Sequence, residues 1–417
     1  MKYIVILGDG MADEPLAALS NKTPLEAANK PTIDRLATLG EMGLVNTVPN
    51  GMAPGSDVAN LSVMGYNPNE CYTGRSPLEA VSIGVELDDT DVTFRANMVT
   101  LSCECECNGD CAYEDMTMKD YSSDEISSAE SAELIAAINA AFESDAVKFH
   151  AGTSYRNLLV HKNGSVDCKL TPPHDISGRK ITEYLPQGDN ADMLLSMMKK
   201  SYDMLIKHPV NKDRVARGLN PANSIWLWGQ GSKPRLDNFY GKYALSGAVI
   251  SAVDLLKGIA KCAGMEVIEV EGATGNIHTN FAGKAKAAVD ALTSGKDFVY
   301  LHIEAADECG HRGEVENKVC AIEQIDKVTE YIINELDKFG EDYSVLLLPD
   351  HPTPLATKTH SSAPVPYALY RKGKHDSTGS VTAEEKDRMR RYTEAEAADT
   401  GVFVAQGHTL MDIFLQK

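Results

Sequence analysis

The chain has 417 residues and a formal net charge of −20, from 60 acidic and 40 basic side chains. A surface this acidic repels phosphate backbones and anionic lipid, so we expect neither nucleic acid nor a membrane as a partner. The length favours two domains, and the apolar runs are shorter than the ~20 residues of a membrane span. The N-terminal MKYIVILGDG lacks the features of a signal peptide, and the nine cysteines fit free thiols in a reducing cytoplasm.

Short apolar runs alternate with amphipathic stretches along most of the chain. The predicted strands are YIVIL (3–7), SIWLW (224–228), EVIEV (266–270), FVYLHI (298–303) and YSVLLL (343–348). The predicted helices are AVISAVDLLKGIAKCAG (248–264) and NKVCAIEQIDKVTEYIINELDKFG (317–340). This alternation predicts an α/β fold with a mostly parallel sheet flanked by helices. Ligands of such sheets bind outside the carboxyl ends of the strands.

The middle of the chain has a different pattern. It contains the strand-like FRANMVTLS (94–102), the helical SAESAELIAAINAAF (128–142), and the strand-like AVKFHAG (146–152) and RNLLVHK (156–162). We therefore predict that residues 92–185 form an inserted, smaller α/β domain. Residues 1–91 and 186–417 then form the core domain.

Carboxylates and imidazoles follow three of the predicted strands. Each aspartate alone could be a helix cap or a turn residue, and a lone histidine is usually a satisfied polar residue. Together, three strand ends with these ligand types suit Zn or Mn, and their number suits two ions. The residues are Asp9 after YIVIL, Asp307 and His311 after FVYLHI, Asp350 and His351 after YSVLLL, and His360.

Two details of this region leave alternatives open. Asp307 and His311 are spaced to share a helix face, but Gly310 between them favours a loop. His302 and Glu304 alternate on the strand that leads to Asp307, so they share one face. We interpret them as a polar pair at a strand end, with support of a metal site as the alternative.

Ser56 is the candidate nucleophile. In APGSDVANLSVMG (53–65) it follows a Pro-Gly turn and precedes a helical pattern. The N-terminus of a helix favours anions because its free N–H groups and dipole are positive there. The alternative on this stretch alone is a plain serine N-cap.

Several longer stretches resemble one family. GDGMADEP, APGSDVANLSVMGYNP, YTGRSPLEA, GAVISAVDLLKGI, ADECGHRG and PDHPTPLATKTHSSAPVP are similar, in order, to motifs of the archaeal-type cofactor-independent phosphoglycerate mutases. That family belongs to the alkaline phosphatase superfamily of two-metal enzymes. The resemblance extends from residue 1 to GHTLM near the end and is weakest over about 100–190. It implies an alkaline-phosphatase-like core.

The resemblance also implies roles for the residues above. Ser56 would be the nucleophile that becomes phosphoserine and would approach one metal. Asp9, Asp350 and His351 would bind that metal, and Asp307, His311 and His360 would bind the other. The ions would be Mn, Zn or Mg, and no bisphosphoglycerate cofactor would be needed.

The implied reaction interconverts 3-phosphoglycerate and 2-phosphoglycerate. The substrate carries a phosphate and a carboxylate, which arginine binds well because its charge is permanent and its donors are forked. The inserted domain would bind the substrate and act as a lid that keeps water out. The candidate substrate-binding residues are Arg75, Arg95, Arg156 and His174.

Other functions remain open from the sequence. A homoserine kinase-like phosphotransferase would use the same phosphoserine and metals, and a phosphomonoesterase would let water reach the phosphoserine. A metal-stabilised scaffold without turnover is disfavoured, because a structural site would not need Ser56. The expected partner is a small phosphorylated substrate; the oligomeric state is left open, with a homo-oligomer allowed.

The cysteine-rich stretch CECECNGDC (103–111) looks like a second metal site. Its spacing lacks the paired C-x-x-C of structural zinc sites, and Asn108-Gly109 is typical of a type I′ turn. We therefore predict a hairpin tip with adventitious metal or redox reactivity, and a true metal site as the alternative.

Overall fold

The computed structural model describes residues 1–103, 111–372 and 390–416. The chain divides into two compact units. The first unit combines Met1–Tyr72 with Arg235–Lys417, and the second is Thr73–Pro234. Among the described residues, no helix is both long enough and apolar enough to cross a membrane.

The first unit contains an eight-stranded sheet. Its strands are β1 (Lys2–Gly8), β2 (Glu41–Val45), β10 (Gly247–Ile250), β11 (Glu266–Val267), β12 (Phe298–Ile303), β13 (Tyr343–Leu348), β14 (Val365–Arg371) and β15 (Phe403–Val404). Its helices are α1 (Pro24–Ala27), α2 (Pro31–Leu39), α3 (Ser56–Val63), α4 (Pro68–Cys71), α9 (Phe239–Tyr243), α10 (Asp254–Cys262), α11 (Phe281–Thr293), α12 (Ala305–Arg312), α13 (Val315–Phe339), α14 (Glu394–Asp399) and α15 (Leu410–Leu415).

The strand order in this sheet is β11-β10-β12-β1-β13-β14-β2-β15. The strands from β11 to β13 are parallel, whereas β14 is antiparallel to both of its neighbours. The predicted α/β class with a mostly parallel sheet is therefore confirmed. The three central strands β12, β1 and β13 are buried along their whole length, apart from one half-buried residue in β1, which explains their nearly continuous apolar sequences.

The helices of the first unit cover the sheet with their apolar sides. Ile4 and Ile6 of β1 lie in one core cluster with buried residues of α2, α11 and α13. The long helix α13 contributes Ile322, Ile325 and Ile332 to this cluster at helical spacing. This packing holds the central strands of the sheet against the helices of the unit.

The second unit is built on an antiparallel sheet. Its strands are β3 (Asp91–Ser102), β4 (Thr117–Asp120), β5 (Val147–Thr153), β6 (Arg156–Lys162), β7 (Cys168–Lys169), β8 (Gln187–Gly188) and β9 (Ser224–Ser232). Its helices are α5 (Ser76–Ser82), α6 (Ser128–Phe142), α7 (Ala191–Leu205) and α8 (Pro209–Ala216). The long strand β3 pairs with β4, β6 and β9, and β5 pairs with β6, all antiparallel.

The boundaries of the second unit differ from the predicted insertion of residues 92–185. The unit begins at Thr73 and ends at Pro234. SIWLW, which was predicted as a strand of the parallel sheet, is the first half of β9 and pairs with β3 in the antiparallel sheet. The prediction for this strand was wrong because an apolar run indicates a buried strand but does not identify its partner.

Two predicted elements of the first unit also differ. The stretch 248–264, predicted as one helix, begins as β10 and becomes helical only at Asp254, so that prediction was wrong. EVIEV is reduced to the two-residue strand β11. In 248–264 the strand and the helix are both apolar, so composition does not separate them. None of the five residues of EVIEV is buried, so its alternating pattern does not mark a strand inside the sheet.

The cysteine-rich stretch lies mostly outside the described residues. The predicted turn at Asn108-Gly109 falls there. Cys103 and Cys111 are joined by a disulfide with a Cα–Cα distance of 5.9 Å, so the prediction of free thiols is wrong for this pair. That distance lies in the usual range for a disulfide. Five other described cysteines are thiols: Cys71, Cys168, Cys262, Cys309 and Cys320.

Candidate active site

Three adjacent strands end side by side in the first unit. Gly8 of β1 is opposite Ile303 of β12, and Leu7 of β1 is opposite Leu348 of β13. The residues that follow these strands therefore meet at one edge of the sheet. This register brings Asp9, Asp307 and Asp350 together although they are far apart in the sequence.

Two glycines let these segments approach closely. Gly10 has a φ of +65°, and a Cβ there would lie 2.6 Å from the Cα of Asp307. A Cβ on Gly310 would lie 2.6 Å from the carbonyl oxygen of Thr353. Both distances are shorter than a side chain tolerates, so glycine is required for this geometry.

Gly310 does not interrupt the helix. Asp307 and His311 both lie on α12, one turn apart, so the prediction of a loop here was wrong. The glycine is explained by the close packing against Thr353.

The first group of ligand atoms comes from Asp9, Asp350 and His351. One ligand atom of each lies within 4.8 Å of the others, and all three side chains are buried. Burial raises the pKa of Asp9 well above its ordinary value, and the carboxylates of Asp350 and Asp307 raise it further. The Oδ1 atom of Asp9 is buried and has no hydrogen-bond partner among the described residues.

The second group comes from Asp307, His351 and His360, whose ligand atoms also lie within 4.8 Å of one another. His311, the third residue predicted for this metal, has its Nε2 3.3 Å from Asp307 Oδ2 and 2.9 Å from His360 Nε2. The hydrogen bond to Asp307 raises the pKa of His311 to about 9, whereas burial lowers the pKa of His360 to about 4.

Ser56 lies beside the first group. It is the first residue of α3, and its Oγ is 3.2 Å from His351 Nε2. Gly55 is the N-cap residue, so the alternative of a plain serine cap is wrong. The hydroxyl is therefore directed to the ligand groups and does not satisfy the backbone of its own helix.

These residues fit divalent cations. Asp9 has a buried, unsatisfied oxygen among the described groups, and its carboxylate is crowded by two others. Charge of this kind is stabilised when a cation binds between the groups. The mixture of carboxylate oxygen and imidazole nitrogen suits Zn or Mn.

The predicted substrate-binding residues all lie in the second unit. Arg95 is buried on β3, and its Nε lies 3.0 Å from Glu79 Oε2. Arg75 forms a second ion pair of 3.0 Å with the other oxygen of Glu79. One carboxylate on α5 therefore holds two guanidinium groups side by side.

Aromatic rings contact three of the four predicted residues. The guanidinium of Arg95 lies 4.3 Å from the ring centre of Trp228, and the His174 ring is 5.3 Å from the same tryptophan. The Arg156 guanidinium lies 4.9 Å from the ring of Tyr155. The positive charge of Arg156 also acts on both Arg95 and Glu79. We call Arg75, Arg95, Arg156, His174, Glu79 and Trp228 the cationic cluster.

Sequence reasoning missed two polar residues that contact the ligands. Asn60 donates from Nδ2 to Asp350 Oδ2 at 2.9 Å and to the carbonyl oxygen of Ser56. Thr353 donates its hydroxyl to Asp307 and lies 3.3 Å from Nδ1 of His351. The i, i+4 spacing of Ser56 and Asn60 on one helix face was the signal for Asn60. No such signal pointed to Thr353.

The fold and the site define a class of protein: a mixed α/β protein with carboxylate and imidazole ligands at the carboxyl edge of a mostly parallel sheet. Residues 37–211 match the family model of the 2,3-bisphosphoglycerate-independent phosphoglycerate mutases. A Methanothrix thermoacetophila protein with that name is 47% identical over 416 residues, which cover 100% of each chain.

Solved structures agree with this match. A Pyrococcus horikoshii protein superposes with a TM-score of 0.80 and 28% identity, over 100% of this chain and 96% of the other. The cofactor-independent phosphoglycerate mutase of Thermoplasma acidophilum superposes with a TM-score of 0.65 and 26% identity, over 100% and 99%. The chain belongs to the 2,3-bisphosphoglycerate-independent phosphoglycerate mutase family. The predicted family and enzyme class, an isomerase, are confirmed.

Proposed function

We propose that the protein interconverts 3-phosphoglycerate and 2-phosphoglycerate through a phosphoserine at Ser56. One observation carries the proposal: the Ser56 hydroxyl lies 3.2 Å from His351, at the edge where the ligand groups of three strands meet. Membership of the mutase family supports the choice of substrate.

The proposed reaction has two transfers. In the first, Ser56 Oγ loses its proton and bonds to phosphorus as the bond between phosphorus and O3 of the substrate breaks. O3 takes up a proton, which leaves glycerate and phosphoserine. In the second transfer, O2 of glycerate loses its proton and bonds to phosphorus as the bond between phosphorus and Ser56 Oγ breaks. Ser56 Oγ takes up a proton, which restores the serine hydroxyl and leaves 2-phosphoglycerate.

Two divalent cations would be held at the ligand groups. Asp9, Asp350 and His351 would hold one beside Ser56, and Asp307, His311 and His360 would hold the other. When bound, such cations would favour the serine alkoxide and neutralise charge on the transferring phosphoryl oxygens. The mixed carboxylate and imidazole donors favour Zn or Mn, and the resemblance to the family adds Mg as a candidate.

The cationic cluster would bind the anionic groups of the substrate. Arg75 and Arg95 each form an ion pair with Glu79, and forked guanidinium donors match phosphate and carboxylate geometry. The chain has an overall negative charge of −20, so a local concentration of arginine favours an anionic ligand at this place. The role of these residues remains a prediction.

The experiment is a phosphorus NMR assay. The protein is incubated with 3-phosphoglycerate and Mn²⁺, Zn²⁺ or Mg²⁺ in turn, and we expect the 2-phosphoglycerate signal to appear. The Ser56→Ala variant should lose essentially all of this turnover and still fold. A parallel sample with a nucleotide and homoserine distinguishes a kinase-like transfer, and inorganic phosphate in the first sample indicates hydrolysis.

Two results would contradict the proposal. One is the absence of 2-phosphoglycerate with all three metals. The other is a Ser56→Ala protein that retains most of the wild-type turnover.

A further inference from the structure

His302 is a fully buried histidine at the end of β12, next to the first ligand group. Each of its two ring nitrogens has its own partner. Nε2 lies 2.8 Å from Asp9 Oδ2, and Nδ1 lies 3.1 Å from the Oγ of Ser251. His302 therefore connects a residue of the β10–α10 loop to the aspartate that follows β1.

The direction of these hydrogen bonds follows from the serine. The backbone N–H of Val253 donates to Ser251 Oγ at 3.0 Å, so the serine oxygen already accepts one bond. Ser251 is buried, and its own O–H needs an acceptor, which His302 Nδ1 provides. Nδ1 is then without a proton, and the proton of the neutral ring is on Nε2. Nε2–H donates to Asp9.

The consequence is that the two carboxylate oxygens of Asp9 differ in their hydrogen bonding. Oδ2 accepts from His302, whereas Oδ1 has no hydrogen-bond partner among the described residues. Oδ1 lies on the side of the other ligands, 3.8 Å from His351 Nε2. A carboxylate held in this way offers one fixed oxygen to a cation.

We infer that His302 is the positioning residue for Asp9, and that its Nε2–H bond fixes which carboxylate oxygen binds the cation. The inference rests on the metal site of the proposed function. It favours support of a metal site over the other sequence interpretation, in which His302 and Glu304 are simply a polar pair at the end of a strand. Hydrogen bonds of this kind orient metal ligands in proteins, and their removal lowers metal affinity by about 10- to 100-fold.

The backbone of His302 is held independently of its ring. Lys284 Nζ donates to the carbonyl oxygen of His302 at 3.2 Å, and β12 pairs with β1 and β10 on its two sides. A change of the side chain therefore leaves the strand end anchored. This makes His302 suitable for substitution.

Two substitutions separate the hydrogen bond from the rest of the side chain. In His302→Gln the amide nitrogen can take the place of Nε2 and still donate to Asp9. In His302→Asn the shorter side chain places its amide near Nδ1, and the bond to Asp9 is lost. Ser251→Ala removes the hydroxyl that donates to His302 Nδ1 and so sets the direction of the two hydrogen bonds. It leaves the His302 side chain itself unchanged.

The measurement is calorimetric titration with Mn²⁺ of full-length protein stripped with EDTA. We expect wild type to bind two ions. His302→Asn should weaken one of them by about 10- to 100-fold and leave the other unchanged. His302→Gln should recover most of the lost affinity, and Ser251→Ala should show a smaller loss at the same site.

Thermal unfolding in EDTA provides the control for folding, because no metal then contributes to stability. If His302→Asn and wild type bind both ions equally, the inference fails and the metal site stands. Equal weakening by His302→Gln and His302→Asn, with unfolding temperatures in EDTA like that of wild type, also overturns it. If wild type binds no Mn²⁺, the metal site itself fails, and this inference fails with it.

Discussion

Arg95 is a buried guanidinium held by two different neighbours. It pairs with Glu79 at 3.0 Å and stacks on Trp228 at 4.3 Å. A lysine at this position would keep the charge but lose the planar, forked donors and the stacking. We expect Arg95→Lys to raise the KM for 3-phosphoglycerate by about 10-fold or more, with a smaller change in kcat, in steady-state assays.

The matched control is Arg179→Lys. Arg179 is an exposed arginine of the same unit that bonds to the hydroxyl of Tyr184. We expect the KM of Arg179→Lys for 3-phosphoglycerate to equal that of wild type, because a solvent-exposed guanidinium contributes little interaction energy. An unchanged KM in Arg95→Lys would mean that the cationic cluster does not bind the substrate.

Thr353 is a buried hydroxyl between two ligands. It donates to Asp307 and lies 3.3 Å from His351 Nδ1, and these residues belong to the two ligand groups. Thr353→Val keeps the shape but removes the hydroxyl, so both ligands lose a partner. We expect the Mn²⁺ concentration for half-maximal activity to rise about 10-fold or more.

Thr329→Val is the control for this change. Thr329 is equally buried in α13, but among the described residues its hydroxyl donates only to the carbonyl oxygen of Ile325, one turn earlier. Its Mn²⁺ requirement should equal that of wild type. If Thr353→Val has a wild-type Mn²⁺ requirement, the hydroxyl does not orient the ligands.

At the scale of residues, the ligand residues that could be predicted from the sequence are those that come directly after a predicted strand. Asp9, Asp307 and Asp350 each come shortly after an apolar run, and parallel strands place their ends together. Thr353 could not be predicted, because its role depends on Asp307, 46 residues earlier in the chain. Threonine is also common in loops, so the presence of a threonine at this position does not indicate a role at the site.

Helix α11 brings a lysine into the apolar contact with the sheet. Lys284 is fully buried, and burial lowers its pKa to about 8 from 10.5. Below pH 8 the amine is protonated in the folded and the unfolded protein, so the cost of burying the charge is fully present. Between about pH 8 and 10.5 the folded protein binds fewer protons than the unfolded chain, and its stability rises with pH.

Lys284→Met removes the cost of the buried charge, and it also removes the hydrogen bond to the carbonyl oxygen of His302. We therefore expect its stability advantage over wild type to be largest at pH 7.5. This advantage should shrink by about 3 kcal/mol as the pH rises to 10.5, because wild type gains stability over this range. Urea unfolding in EDTA at several pH values measures it. Lys286→Met on the same helix is the control, since Lys286 is exposed and forms an ion pair with Asp290, also exposed. An advantage of Lys284→Met that is constant with pH would contradict the assignment of this pKa.

At the scale of elements, two buried apolar strands and one long helix were predicted well. β12, β13 and α6 have the predicted bounds. The segment 248–264 was wrong because its strand and its helix are both apolar and only three residues separate them. Composition could not locate the change from strand to helix, because the residues on both sides of it are similarly apolar.

At the scale of the whole molecule, the boundary of the second unit was the least predictable feature. The resemblance to the family was weakest there, and the predicted edges at 92 and 185 omitted α5, β8, α7, α8 and β9. Of these elements β9 matters most, because it pairs along β3 from Val92 to Val99. Pairing between strands more than 120 residues apart leaves no local pattern in the sequence.

The two ends of the second unit lie together. The hydroxyl of Thr73 donates to the carbonyl oxygen of Ser232, and Gly74 packs against the backbone of Gln230. The unit also has its own apolar core, which includes residues of β3, α6, α7 and β9. A segment that has its own hydrophobic core and whose two ends are adjacent has the properties of an independent domain.

We therefore expect residues 73–234 to fold when expressed alone. Both tryptophans of the chain, Trp226 and Trp228, lie on β9 and are buried, so their fluorescence reports on this unit. The fragment should unfold in urea in one cooperative step, with a red shift of the tryptophan emission. A shorter fragment of residues 92–185, tested by circular dichroism, should stay unfolded because β3 loses its partner β9 and the core loses α7. A fragment 73–234 with the emission of exposed tryptophan in the absence of urea would contradict the prediction.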